Sequence, residues 1–360
     1  ASPATPASAP APAAAPAAAA SGPTATRWFE ARSLRAQLVF DAQGQLQMFT
    51  AEPGRVRVAE SFALRWDAVR VDLQQNRADF ALRADIEPFA LPPLLARIQP
   101  AINWQGDLRL SARVDVRAAE RFEADVVFQR HDGDLHIETQ GELQLLGLTE
   151  MRLQLKARDG VWQFEPVLNG RGLGEIRGLL RAQTTPERRW PPDDAPIEGR
   201  IQARVPDVGI WAHWTPPGWR LVGEISTTAR VGGRVGQPTY TGALRGRGLG
   251  VRNLLQGVNI TDGRMLVRLE GTRAEIETFT LRGGEGRFDV TGSAELGSQP
   301  TARLKLEADK FRVLGRVDRT LTASGQADLT LATETSRLEG KFRIDDGLFD
   351  FTRADAPSLD

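Results

Sequence analysis

Strict two-residue alternation is the feature that most limits what this chain can fold into. Leu108, Leu110, Ala112, Val114 and Val116 oppose Asp107, Arg109, Ser111, Arg113 and Asp115. Phe122, Ala124, Val126 and Phe128 repeat the pattern, followed by Leu135 and Ile137, then by Met151, Leu153, Leu155 and Ala157. Met265, Val267 and Leu269 carry it on, and Leu338, Phe342 and Ile344 close it. Side chains on a strand alternate faces, so each run makes a half-wet, half-apolar strand. That is the signature of antiparallel pairing, because parallel sheets covered on both faces lack it. Asp132-Gly133, Asp159-Gly160, Asp262-Gly263 and Asp346-Gly347 each fall between alternating runs. Asp-Gly supplies the positive-φ pair of a tight hairpin, so a meander of sequential hairpins is expected.

One strand per 12–13 residues or so predicts about 25 strands, more than an open twisted sheet usually carries. At about 4.8 Å per strand a single sheet would be on the order of 120 Å long. No long amphipathic helix is available to cover its apolar face. The sheet therefore folds lengthwise on itself or packs on a second sheet. A faint repeat punctuates the chain near 85–106, 207–223 and 309–325. In each block a short, apolar, helix-like piece precedes a Gly-containing strand start. Residues 1–26 are alanine- and proline-rich and read as an extended linker, and 27–360 as one elongated, repeat-built β region. The linker has neither the basic start nor the leucine-rich stretch of a signal peptide, and no segment is long enough to span a bilayer.

Composition removes whole classes of function. With 46 basic and 46 acidic residues, charge offers no steering to nucleic acid. There is no cysteine, hence no disulfide, thiolate metal site or cysteine nucleophile. His131-Asp132-Gly133-Asp134-Leu135-His136 mixes metal-ligating residue types, but turn chemistry explains the same residues. His213 between Trp211 and Trp214 reads as a partly buried apolar insertion, and Asp193-Asp194 and Asp345-Asp346 as loop and turn formers. Two Gly-Arg-Gly-Leu-Gly runs, 170–174 and 246–250, lack the following helix that a phosphate loop needs, and are expected to be strand interruptions or bulges. No catalytic constellation, cofactor or metal is expected, and no enzymatic activity.

The G-x-F-x-I-D-x-G-x-F-D-F run at 340–351, followed by Ala356-Pro357-Ser358-Leu359-Asp360, resembles the conserved C-terminal region of the TamB family, within the AsmA-like, bridge-like lipid transfer superfamily. A looser resemblance extends back to about Arg27. It implies an all-β fold: a long, curved antiparallel meander folded into a U-shaped, taco-like sheet around an apolar groove, with a few short helical insertions. It also implies an internal portion of a longer, inner-membrane-anchored protein of a Gram-negative periplasm, with the anchor outside this sequence. The implied activity is phospholipid movement between the inner and outer membranes. The lining expected is the apolar parity: Leu108, Leu110, Val114, Val116, Phe122, Val126, Phe128, Leu135, Ile137, Leu153, Leu155, Met265, Val267, Leu269, Phe342 and Ile344. Its partners would be phospholipid acyl chains and a TamA-like outer-membrane barrel whose contact segment lies outside this sequence. Two alternatives stand beside this. One is a scaffold that helps outer-membrane barrels and autotransporters assemble with TamA. The other is a secreted, repeat-built adhesin-like β protein with a dry core.

Overall fold

The computed structural model describes residues 29–32, 35–58, 62–73, 79–99, 102–139, 142–210, 215–216, 218–297, 299–333 and 335–350. The linker 1–26, the Trp211, His213 and Trp214 cluster, and the exit Ala356–Asp360 lie outside them. The chain is all-β, with 23 strands, one α-helix and a 3₁₀ turn at 208–210 among the described residues. The first half holds β1 (Phe29–Arg32), β2 (Ala36–Phe40), β3 (Leu46–Ala51), β4 (Gly54–Val58), β5 (Phe62–Asp72), β6 (Asp79–Ala90), α1 (Pro92–Ile98) and β7 (Trp104–Gly106). It continues with β8 (Arg109–Ala118), β9 (Phe122–Asp132), β10 (Leu135–Thr139), β11 (Glu142–Leu145), β12 (Leu148–Arg158) and β13 (Val161–Gly170). Then come β14 (Gly174–Gln183), β15 (Ile197–Val205), β16 (Arg220–Arg234), β17 (Gln237–Asn253) and β18 (Val258–Gly271). The last five are β19 (Arg273–Gly283), β20 (Gly286–Glu295), β21 (Thr301–Gly315), β22 (Arg319–Leu331) and β23 (Ser336–Phe349).

Twenty strands form one open antiparallel sheet, and β7, β10 and β11 form a small second one. In the large sheet, neighbours in space are neighbours in sequence apart from the diverted strands. β1 pairs β4 while β2 pairs β3, and both β3 and β4 pair β5. β3 and β4 therefore lie end to end as one broken rung and β1 and β2 as another, so the twenty strands make eighteen rungs. At about 4.8 Å per rung the sheet is about 85 Å long, shorter than the 120 Å expected. The difference comes mainly from the three strands diverted to the small sheet and the two broken rungs, with strands of up to 17 residues accounting for the rest.

The four Asp-Gly pairs have different fates. Asp159-Gly160 turns the chain between β12 and β13, with Arg158 opposite Val161 and φ of 50° and 77° at the two turn residues. That is a type I′ hairpin, as expected. Asp132-Gly133 instead leads out of the large sheet, since β9 pairs β8 and β12 whereas β10 pairs β7 and β11. Asp262-Gly263 lies inside β18, where Asp262 has φ 55° and the register slips against both neighbours. Asp346-Gly347 lies inside β23, facing Thr322 and Leu321 beside a register shift. The left-handed backbone that Asp-Gly favours can close a hairpin or absorb the extra residue of a bulge. The pairing partners decide which. The two Gly-Arg-Gly-Leu-Gly runs divide likewise: 170–174 turns from β13 into β14, and 246–250 holds a bulge in β17.

The repeat blocks also diverge. Pro92-Pro93 opens α1, with proline in the first helical turn. The block at 309–325 is expected to begin with a helix-like piece but has none among its described residues. β21 runs through it, kinked at Lys310 (φ 46°), with a register shift between Ala308 and Phe311. Without prolines to start a helix, the apolar residues of this block simply continue the ladder.

A clasp curls the sheet between β17 and β22. Gly315 N, in the last residue of β21, donates to Gly257 O (2.8 Å), and in the loop after it Arg316 Nη1 donates to Leu255 O (2.6 Å), reaching across β19 and β20. Arg316 Nε also donates to Asp318 Oδ1 at 2.8 Å. That bond, with the nearby Arg316 and Arg319 charges, holds the Asp318 carboxyl below the usual carboxylate range. A carboxylate with a depressed folded pKa adds stability above its unfolded pKa and loses it as pH falls through the folded value. Asp318→Asn is therefore expected to lower the melting temperature at neutral pH. The gap to the wild type should close as both are acidified below the ordinary carboxylate range and through the lowered pKa of Asp318. A gap that persists in acid would assign the effect to packing instead.

Candidate functional site

Cross-strand partners share a face, so the register decides whether the apolar rows of successive strands join. They do. Phe49 faces Val71, and beside it Val69 faces Leu82, which faces Val116; Val116 in turn faces Ala124. One step along the same face, Val126 meets Leu155, which meets Phe164, which meets Leu180, which meets Gly199. Ile201 then meets Ala229, Thr227 meets Leu244, Leu244 meets Val267, and Val267 meets Ile276. Ile276 meets Gly292, Gly292 meets Leu304, Leu304 meets Leu329, and Leu329 meets Leu338 in β23. Bulges fall so that they keep the rows in phase. At Leu266/Val267, for example, the extra residue in β19 leaves both Ile276 and Phe279 on the apolar side.

Burial separates this face from a dry core. Along β15 and β21 the rows alternate half-buried and exposed, and Leu153, Leu155, Val114 and Met265 are half-buried. Two covers lie over parts of it. The first is the small sheet with α1, which packs Leu135, Ile137 and Leu108 against Phe89, Leu110 and Leu148 in one closed cluster. Leu108 is fully buried there. Of the expected lining, Leu108, Leu135 and Ile137 thus belong to this cover, because β10 leaves the large sheet. The second cover is the loop 184–196 with Val235 from the β16–β17 turn, beside the cluster of Ala118, Phe122, Ala124, Ala157, Trp162 and Ala182. Between the covers runs a cleft of about 460 Å³ floored by Val126, Phe128, Leu153, Leu155, Phe164 and Leu180 and walled by Trp162, Trp190, Pro191, Ile197 and Val235. Periodicity alone does not reveal Trp190, Pro191 and Val235, since loops carry no alternation.

At the far end, Leu338, Phe342 and Ile344 stand on β23 with more than half their surface exposed. Val116, Val267 and Leu269 lie on the continuous face, and Leu110 and Phe122 lie where it passes beneath the first and second covers. The opposite face is a ladder of exposed ion pairs, such as Arg83 with Asp115 (3.1 Å) and Lys305 with Glu307 (2.9 Å). Each such pair contributes little. Their role is to keep that face wet.

The histidine-aspartate run is structural. Asp132 is bonded by Arg109, whose Nε donates at 2.7 Å and pulls the Asp132 carboxyl below its usual range. Asp134 is a hub. Its carboxylate accepts from Leu135 N (2.8 Å), Gly147 N (2.9 Å) and Leu148 N (2.9 Å), while its own N–H donates to Asp107 Oδ1 (2.9 Å). It ties the start of β10 to the start of β12. Among the described residues no group of three or more His, Asp or Glu is placed to hold a metal ion.

Fold and face together define a class: a long open β-sheet carrying a continuous, largely apolar row along its length, covered in two places. Residues 277–360 match the family model of the TamB C-terminal domain. Over that span, from within β19 through β23, the chain is TamB-like, as the motif at 340–351 suggested. No curated protein and no solved structure matches the chain. No helix among the described residues is long and apolar enough to cross a membrane.

Proposed function

We propose that this chain is part of a periplasmic, TamB-like bridge that carries phospholipid acyl chains between the inner and outer membranes along the apolar face. The in-phase register across the eighteen rungs supports this reading most directly. Exposing an acyl chain to water costs about 0.8 kcal/mol per CH₂, or about 13 kcal/mol for roughly sixteen carbons. Separate pockets would impose much of that cost at every hop, and a continuous face avoids it. The half-buried state of the face favours a lined groove over the dry core of an adhesin-like protein. No catalytic step enters the reading. Protein purified from membranes is expected to retain phospholipid detectable by mass spectrometry. Leu304→Asp, on the stripe three rungs from its β23 end and half-buried, should reduce the retained amount several-fold while the fold persists. Wild-type protein free of lipid would contradict the proposal.

A specific observation favours a second reading, assembly of outer-membrane barrels together with a TamA-like partner. Among the described residues β23 is paired only by β22, and its fourteen residues are all exposed. Such an edge can receive a client strand.

A further inference from the structure

The loop 184–196 is fixed at both feet and rests on the groove between them. At one foot Thr184 N donates to Gly160 O (2.7 Å) and Phe122 N to Pro186 O (2.8 Å). At the other, Val235 N donates to Ala195 O (2.9 Å), Gly236 N to Asp193 O (2.8 Å) and Arg234 Nη1 to Asp194 O (2.7 Å). The span between the feet carries Trp190, whose ring meets Trp162 edge-on at 5.0 Å. Trp162 is itself buried and stacked on Phe122 at 5.4 Å. Yet Trp190 remains 65% exposed. A large aromatic ring held over an apolar cleft with most of its surface in water has apolar area still to bury.

We propose that Trp190 is the contact that seats a single lipid hydrocarbon chain in the cleft beside it, and that the loop 184–196 acts as its retaining wall. The inference rests on the conduit reading above and adds to it a resting point and the residue that sets its grip. The nature of the occupant follows from the walls. Of fourteen lining residues only Arg181 is charged, so a charged headgroup has no counter-charge inside. On β12 the order is Met151 under the first cover, Leu153 and Leu155 open, Ala157 under the second. From Met151 to Ala157 is about 20 Å along the strand, so the open slot is narrower still. Its floor continues onto β8 through Val114 opposite Val126 and onto β15 through Gly199 opposite Leu180, so the slot is open lengthwise. A neutral, flexible, linear chain fits such a slot. A folded polypeptide does not.

The test is a titration of the whole chain with dibrominated stearate, whose bromines quench nearby tryptophan fluorescence. Wild-type protein should show saturable quenching. Trp190→Ala should weaken the dissociation constant about two- to tenfold, the equivalent of one aromatic contact. Trp190→Phe should recover part of the loss, and Trp219→Phe, just before β16, should leave the constant unchanged. Trp190 is exposed, so its removal leaves the core intact, which far-UV circular dichroism would verify. Wild-type affinity in Trp190→Ala, with quenching otherwise normal, overturns this inference and leaves the conduit reading standing. Absence of quenching in the wild type contradicts both. Displacement of the stearate by a hydrophobic peptide as readily as by unlabelled palmitate overturns the assignment of the occupant.

Discussion

Trp162→Ala is expected to cost about 3–5 kcal/mol, the range for truncating a buried aromatic side chain. Trp162 is 6% exposed, stacks on Phe122, supports Trp190 and packs in one cluster with Ala157 and Ala182. Its removal opens a cavity where β9, β12, β13 and β14 meet the loop 184–196. Because a sheet built of sequential rungs couples mainly to nearest neighbours, the loss should stay local. Hydrogen exchange should accelerate in β8, β9, β12, β13 and β14 and stay unchanged from β17 onward. Uniform acceleration over the whole chain would show the sheet to be one cooperative unit, against this expectation.

Asp134→Ala should have a comparable effect on the small sheet. The substitution removes the acceptor for three backbone N–H groups, at Leu135, Gly147 and Leu148. Leaving buried donors unsatisfied costs about 1–3 kcal/mol each, so about 3 kcal/mol or more is expected in this half-buried setting. Amides of β7, β10 and β11 should lose protection first, and the covered part of the apolar face should become accessible to a hydrophobic dye. Asp134→Asn keeps one carbonyl acceptor and should fall between the two. If all three proteins exchange alike, Asp134 is not the tie that the geometry indicates.

The alternation of Leu153 and Leu155 with Gln154 and Lys156 made the all-β class and the identity of the apolar face legible in the sequence. Periodicity is a local property and survives into the structure unchanged. What it left open is pairing. Leu135 and Ile137 alternate as cleanly as Leu153 and Leu155, yet they sit in a different sheet, because the choice of partner strand depends on residues far away. Asp159-Gly160 and Asp262-Gly263 are the same dipeptide with the same backbone preference, and only the registers of the neighbouring strands make one a hairpin and the other a bulge. The wall formed by Trp190, Pro191 and Val235 was hidden for a related reason. Loop residues acquire a position only through their anchors, here the backbone bonds at Thr184, Pro186, Asp193 and Ala195.

Photoreactive side chains placed at paired inward and outward positions test the central claim most directly. Leu155, Leu244 and Leu304 sample the apolar face at three points along the sheet, and Lys156, Arg245 and Lys305 sample the wet face one residue away. Irradiation in cells, followed by mass spectrometry of the purified protein, should yield phospholipid adducts at all three inward positions and none at the outward ones. Adducts on both faces alike, or at none of the inward positions, would contradict a continuous lipid path along this sheet.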